Sequence, residues 1–214
     1  MKTASIIALA GLATVASGQW YNGDPDLVNG LAAEFNTSVT DAYVFDDFNH
    51  GGGVVDVIYG NYFWASSITG YTYEIRSGMS NGFGGTLHAS GNTDGAYSMV
   101  PNGFDNFGFL GYTLTADIPN VALGAGTYHM ALSPIGNGTG RGFVQTTSGA
   151  NSVGTPGGNN DNSFFYSVYF GSNYGRAGDQ LGINPADFSY GVVVPAPASA
   201  ALLGLGALVA RRRR

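Results

Sequence analysis

Two oxygen-rich segments and a few carboxylates carry most of the chemical potential of this chain. Asn22-x-Asp24-x-Asp26 places three oxygen ligands at alternate positions, and Asn159-Asn160-Asp161-Asn162 forms a second such segment. Hard cations take clustered carboxylate, amide and carbonyl oxygens. Asn22, Asp24, Asp26, Asn159 and Asp161 are therefore candidate calcium ligands. Neither segment follows the EF-hand pattern, which needs a glycine at the sixth loop position and a closing glutamate. The competing reading is that Asn22-Gly23 and Asp24-Pro25 make turns. No other cofactor is implied.

Glycoside hydrolysis needs two carboxyl groups about 5–10 Å apart, one of them protonated. The candidates are Glu34, Asp46, Asp47 and Glu74, and Glu34 and Glu74 are the chain's two glutamates. Asp46 and Asp47 are adjacent, so in a strand they point to opposite faces and do not act together. Asp47 is instead expected to pair with Arg76. His50, His88 and His129 are widely separated. None belongs to a helical metal-ligand pair or a nucleophile elbow. His50, just before Gly51-Gly52-Gly53, reads as a turn residue and His129 as a structural strand residue. The chain has no cysteine, which excludes thiol nucleophiles and thiolate metal sites. No catalytic residue is assigned, and the expectation is a protein that is not an enzyme. A secreted glycoside hydrolase or lyase is the least favoured alternative. Trp20, Tyr62 and Trp64 are candidate glycan-stacking rings for a carbohydrate-binding module.

These residues must be positioned by strands. Glycine is abundant, at 35 residues, beside 13 tyrosines and 13 phenylalanines. That is turn chemistry interleaved with strand-forming aromatics. Tyr71, Tyr73 and Ile75 alternate with Thr72, Glu74 and Arg76, the pattern of a half-buried strand. Further strands are predicted over Ala42–Phe48, Val54–Tyr59, Thr86–Ala89, Tyr97–Val100, Phe107–Leu114, Thr127–Leu132, Arg141–Thr147, Ser163–Phe170 and Phe188–Val193. Leu123-Gly124-Ala125-Gly126 reads as a tight turn and Ser148–Asn162 as a loop. Only Leu27–Phe35 looks helical. The expected fold class is all-β, an antiparallel β-sandwich of jelly-roll type.

Both ends read as removable signals. Met1-Lys2, the apolar run Ile6–Val15 and the small residues Ala16-Ser17-Gly18 make a helical signal peptide over residues 1–18, cut before Gln19 by signal peptidase. The domain would then occupy residues 19–193. Residues 194–214 contain Val194, Pro195, Ala196 and Pro197, an apolar run Ala198–Ala210, and Arg211, Arg212, Arg213 and Arg214. That run is 13 residues long, short of the roughly 20 needed to cross a bilayer. It suits a transient transmembrane hold with the arginines kept on the cytoplasmic side.

This tail resembles the PEP-CTERM sorting signal, with its Val-Pro-Glu-Pro box, Leu/Gly-rich helix and arginine cluster. The matching residues are Val194, Pro195, Pro197, Leu202-Leu203-Gly204-Leu205-Gly206 and Arg211–Arg214. Ala196 stands where that family has glutamate. The resemblance implies export by a bacterium with an outer envelope and cutting near Pro195–Pro197 by an exosortase-like membrane enzyme. It also implies residence at the cell surface or in an exopolysaccharide matrix. Asp46-Asp47-Phe48, Tyr73–Gly78, Gly85–Gly91 and Leu123–Leu132 resemble β-sandwich ectodomains found ahead of such tails.

Removing both signals sharpens the charge. The formal net charge of the whole chain is −6. Lys2 and Arg211–Arg214 lie in the signals, leaving Arg76, Arg141 and Arg176 against 14 acidic residues, a net charge of −11. Such a surface repels nucleic acid and anionic lipid. The expected function is therefore a non-enzymatic structural or adhesive domain in an exopolysaccharide setting, with the carbohydrate-binding module as the alternative.

Overall fold

A computed structural model describes residues 19–158 and 160–193. The signal segment 1–18, the sorting segment 194–214 and Asn159 lie outside the described residues. In chain order the strands are β1 Trp20–Tyr21, β2 Pro25–Ala32, β3 Tyr43–Trp64, β4 Ile68–Ser77, β5 Thr86–Asn92, β6 Tyr97–Pro101, β7 Leu110–Gly136, β8 Gly142–Thr147, β9 Phe164–Ser167, β10 Ser172–Arg176, β11 Asp187–Phe188 and β12 Tyr190–Val193. One short helix, α1 Ala177–Leu181, precedes β11. All strand pairings are antiparallel, so the all-β expectation holds. Among the described residues no helix is long and apolar enough to cross a membrane.

Two long strands organise the rest. β3 has 22 residues and β7 has 27, and they pair from Asp46↔Met130 to Trp64↔Leu110. The sequence suggested two separate strands here, broken by a turn at His50–Gly53, and a second turn at Leu123–Gly126. Both segments instead lie inside the ladder, with His50 opposite Gly126 and Gly53 opposite Leu123. Gly52 and Gly53 have φ of +96° and +135°, conformations that a residue with a Cβ resists. The glycines therefore bend the ribbon without ending it, and a register irregularity follows between Val55 and Val57.

The bend gives each half of the ribbon its own neighbours. The first part of β3 pairs with β9, which pairs with β10. The last part of β7 pairs with β4, which pairs with β5. The second half of β3 pairs with β12 and β8, and the first part of β7 with β6. β8 also takes β2 and β11, and β12 takes β1. The two groups share one core. Tyr62 donates its hydroxyl to the Leu132 carbonyl at 2.5 Å, and Tyr190 reaches the Val44 and Leu132 carbonyls at 3.2 and 3.3 Å. Phe48, Tyr71, Tyr73, Ile75 and Met130 from one group meet Ile58, Leu114, Val144, Phe188 and Val192 from the other. The alternation in β4 places Tyr71, Tyr73 and Ile75 inside, as the sequence predicted.

The expected helix at Leu27–Phe35 is largely strand β2. Gly30, Leu31 and Ala32 pair with Gln145, Val144 and Phe143. Leu27 sits at φ +60°, and Gly30 lies within the segment, both poor for a helix. At the register irregularity before Gly30, the Thr146 hydroxyl, 117 residues downstream, accepts from the Asn29 N–H at 3.1 Å and donates to the Asn29 carbonyl at 3.0 Å. Tertiary pairing overrides the local pattern.

Candidate functional site

Asp46, Asp47 and Asp187 are 0%, 4% and 1% exposed. Adjacent positions in β3 send Asp46 and Asp47 to opposite sides, as alternation requires. Asp46 accepts from the Asn22 side-chain amide at 2.9 Å, the Asp47 N–H at 2.8 Å and the Phe188 N–H. Asp47 accepts from the Asn160 side-chain amide at 2.9 Å, and Asp187 from the Asn160 backbone N–H. Burial pushes the Asp46 carboxyl well above the usual carboxylate range, and the nearby Asp187 charge adds to this. Burial also pushes Asp187 up to about 7; the Asn160 N–H opposes this and the Asp47 charge reinforces it. His129 faces Asp47 across the β3–β7 ladder. Burial lowers its pKa, and the Asp47 charge partly restores it. Oδ1 of Asp187 has no hydrogen-bond partner among the described residues. The carboxylates of the cluster are turned to internal donors.

The expected Asp47–Arg76 pair is not formed. His129 stands between them, opposite Asp47 on one side and Arg76 on the other. Arg76 pairs instead with Glu74, two positions along its own strand, and lies over the Tyr174 ring at 5.2 Å.

The described candidate calcium ligands each have partners within the protein, and Asn159 lies outside the described residues. Asn22 is buried, donating to Asp46 and accepting from the Gly158 N–H at 2.9 Å. Asp24 accepts from the Tyr21 hydroxyl and the Asn151 amide at 2.9 and 2.7 Å. Asp26 accepts from the Val28 N–H and the Thr146 hydroxyl at 2.9 and 2.6 Å. Asp161 pairs with Arg176 at 2.9 Å. Among the described residues no three acidic or histidine side chains converge as a metal site.

Trp20, Tyr62 and Trp64 are 2%, 0% and 4% exposed, so none offers an open ring face to a glycan. This corrects the stacking assignment. Trp20 packs on Phe48 at 5.7 Å and donates to the Pro156 carbonyl at 2.8 Å, while Tyr62 is core. Trp64 alone touches a cleft.

That cleft is one of two sharing a single wall, Phe109. The larger, about 440 Å³, is lined by Trp64, Ser66, Ser67, Phe109, Leu110 and Tyr112 among others. The smaller, about 190 Å³, is lined by Asn29, Gly30, Phe63, Phe107, Phe109 and Phe143. Its rings meet edge to face: Phe63 with Phe107 at 5.6 Å and Phe109 with Phe143 at 5.5 Å. Gly30 keeps the floor open, because a Cβ there would come within 3.1 Å of both Phe63 and Phe143. A third cleft, about 390 Å³, lies elsewhere among Phe35, Asn36, Thr37, Asn92 and Asn137.

The shared wall is held by a tight turn. Asn106 and Phe109 exchange backbone hydrogen bonds at 3.2 and 2.8 Å. Phe107 and Gly108 occupy the middle of the turn with φ of +54° and +80°. Left-handed backbone at a non-glycine residue costs about 1–2 kcal/mol, so Phe107 is held there by its surroundings. The Asn106 amide donates to the Leu27 carbonyl at 2.6 Å, Asp105 accepts from the Gly111 N–H at 2.7 Å, and Gln145 donates to the Phe104 carbonyl at 2.7 Å. Such outliers gather at ligand sites. Sequence reasoning assigned Phe107–Leu114 to a strand and passed over these phenylalanines. The turn signal available to it was Asp105-Asn106 followed by Gly108.

The sorting residues Val194, Pro195, Ala196, Pro197 and Arg211–Arg214 lie outside the described residues. Compared with known proteins, the chain matches no family model, no curated protein and no solved structure.

Proposed function

We propose that this chain is an exported, non-enzymatic protein of a bacterial cell surface or extracellular matrix, whose β domain adheres to exopolysaccharide through the two clefts that share Phe109. The carrying observation is the turn at Phe107-Gly108, which holds aromatic walls open to solvent at a strained backbone position. In this proposal the domain is an antiparallel β-sandwich of jelly-roll type. The Tyr62 and Tyr190 hydroxyls crossing from one pairing group to the other support that arrangement. Export rests on the two terminal signals. Signal peptidase and an exosortase-like enzyme are the processing partners, with transient membrane anchoring through the C-terminal segment. The acidic, lysine-free body favours neutral partners over nucleic acid.

Two measurements test this. Affinity electrophoresis in gels containing neutral polysaccharides should retard the protein, and Phe109→Ala should run unretarded. If no polymer slows the native protein, the adhesive reading is wrong. Intact-mass measurement of the protein secreted by its own host tests sorting, and a mature chain still ending in Arg211–Arg214 would overturn it.

The carbohydrate-binding module is the same site read as a dedicated ligand domain. It is favoured by the serine hydroxyls beside Trp64 and Tyr112 in the larger cleft. It predicts saturable binding of soluble oligosaccharides as well as polymer.

A further inference from the structure

The two clefts differ in what they can hold, and this difference bears on which polysaccharide would fit. The larger has hydroxyls at Ser66, Ser67 and Tyr112, so a hydroxyl-bearing ring placed there finds hydrogen-bond partners. The smaller has four phenylalanines, with the Asn29 side chain as its main polar edge. A sugar hydroxyl in it would lose water without gaining a partner, which is unfavourable. Its volume of about 190 Å³ is of the order that accepts one six-membered ring or a short acyl chain; an apolar cavity of about 150 Å³ accepts benzene. Because Phe109 lines both, one ligand can lie across the turn with its polar and apolar parts in separate clefts.

Charge narrows the ligand further. No residue lining either cleft is acidic or basic. Arg141 lies over Phe143 at 5.1 Å, and its Nε is bound to Glu34 at 2.7 Å. Residues 19–193 carry 14 acidic residues against three arginines, and with Glu34, Asp46, Asp47 and Asp187 buried the remaining ten still leave the surface acidic. Uronic, sulfated or phosphorylated polymers meet repulsion there. The rigid turn also lowers the ordering cost of binding, since the Phe107 wall is already in place.

We infer that the paired clefts recognise a neutral polysaccharide bearing short apolar substituents such as O-acyl groups, with the sugar ring beside Ser66, Ser67 and Tyr112 and the acyl group between Phe63, Phe107 and Phe143. This inference rests on the polysaccharide-adhesion reading and adds the substituent to it.

The test compares binding of the full secreted protein to partially O-acetylated neutral glucans and mannans and to the same polymers after mild alkaline deacetylation. Deacetylation is expected to weaken binding about tenfold. Phe107→Ser, on an exposed ring that carries little of the core, should erase the preference, bringing binding of the acetylated polymer level with that of the deacetylated one. Equal binding to both forms would overturn the inference and leave adhesion standing. Binding to neither would overturn both. A preference that survives Phe107→Ser would place the acyl group elsewhere and overturn this assignment. Displacement of bound polymer by an apolar peptide at lower concentration than by acylated sugar would point to a protein partner and also overturn it.

Discussion

The acidic cluster and the phenylalanine cleft invert the usual placement of side chains. Asp46 is fully buried, whereas Phe107 is 59% exposed. At Asp46 three N–H donors converge on one carboxyl group, so the local polar groups are consumed by the fold. At Phe107 the ring touches Phe63 on one side and opens onto an unfilled cleft on the other. Buried polar groups hold a fold only when every partner is in place, and losing one is costly. Open apolar surface costs the fold little to change, and it is where association gains free energy. The first region should therefore answer to stability measurements and the second to binding measurements.

The largest expected effect is at Asp46. Asp46→Ala strands the Asn22 amide and the Asp47 and Phe188 N–H groups. At about 1–3 kcal/mol for each buried donor left unpaired, the loss should be roughly 3–9 kcal/mol in urea unfolding. A loss under 1 kcal/mol would show that water replaces the carboxylate, and would break the contrast.

Next comes pH. Asp187 has a folded pKa of about 7 against a usual 3.8, so the folded state binds the proton more tightly. Its contribution is fully present below about pH 4 and is lost as pH rises through 7, by on the order of a few kcal/mol. Asp46 is raised too and adds in the same direction. His129 is lowered from 6.5, so it opposes them, losing stability as pH falls below that value. Thermal melts from pH 4 to 8 should show stability falling with pH, and Asp187→Asn should flatten or reverse that slope. An unchanged slope in the variant would remove Asp187 from the account.

The cleft should behave oppositely. Phe107→Gly relieves the left-handed backbone, worth about 1–2 kcal/mol, and loses an edge-to-face contact worth about 0.5–1.5 kcal/mol. The net change in stability should lie between a loss of about 0.5 and a gain of about 1.5 kcal/mol, while retardation by polysaccharide falls. A strongly destabilised variant would make Phe107 a core residue rather than a binding wall. The smallest effect is expected from calcium. Asp24 and Asp26 already accept protein donors, so neither added calcium nor EDTA should move the melting midpoint. A rise reversed by EDTA would support the calcium reading.

Much of the scaffold was legible and little of the candidate site was. The alternation around Tyr73 placed β4 correctly, and adjacency separated Asp46 from Asp47. Gly51-Gly52-Gly53 misled, because a glycine run signals a turn unless a distant strand pairs across it, as Leu123–Gly126 does. Trp20 and Tyr62 misled for a related reason. Aromatic type suggests a platform, but only the covering strands decide whether a ring is open.

The sequence by itself determined the strand-rich class, the acidic lysine-free balance and the sharing of faces along each strand, because composition and a period of two are local properties. Only the tertiary structure decided that the glycine-rich centres of β3 and β7 are continuous ladder, that Leu31 and Ala32 lie in a strand, and that Phe107 rather than Trp20 faces solvent. The physical reason is distance along the chain. The Tyr62 hydroxyl meets a carbonyl 70 residues away, and Asp46 meets the Phe188 N–H across 142. Which face is covered is set by partners that no local pattern contains.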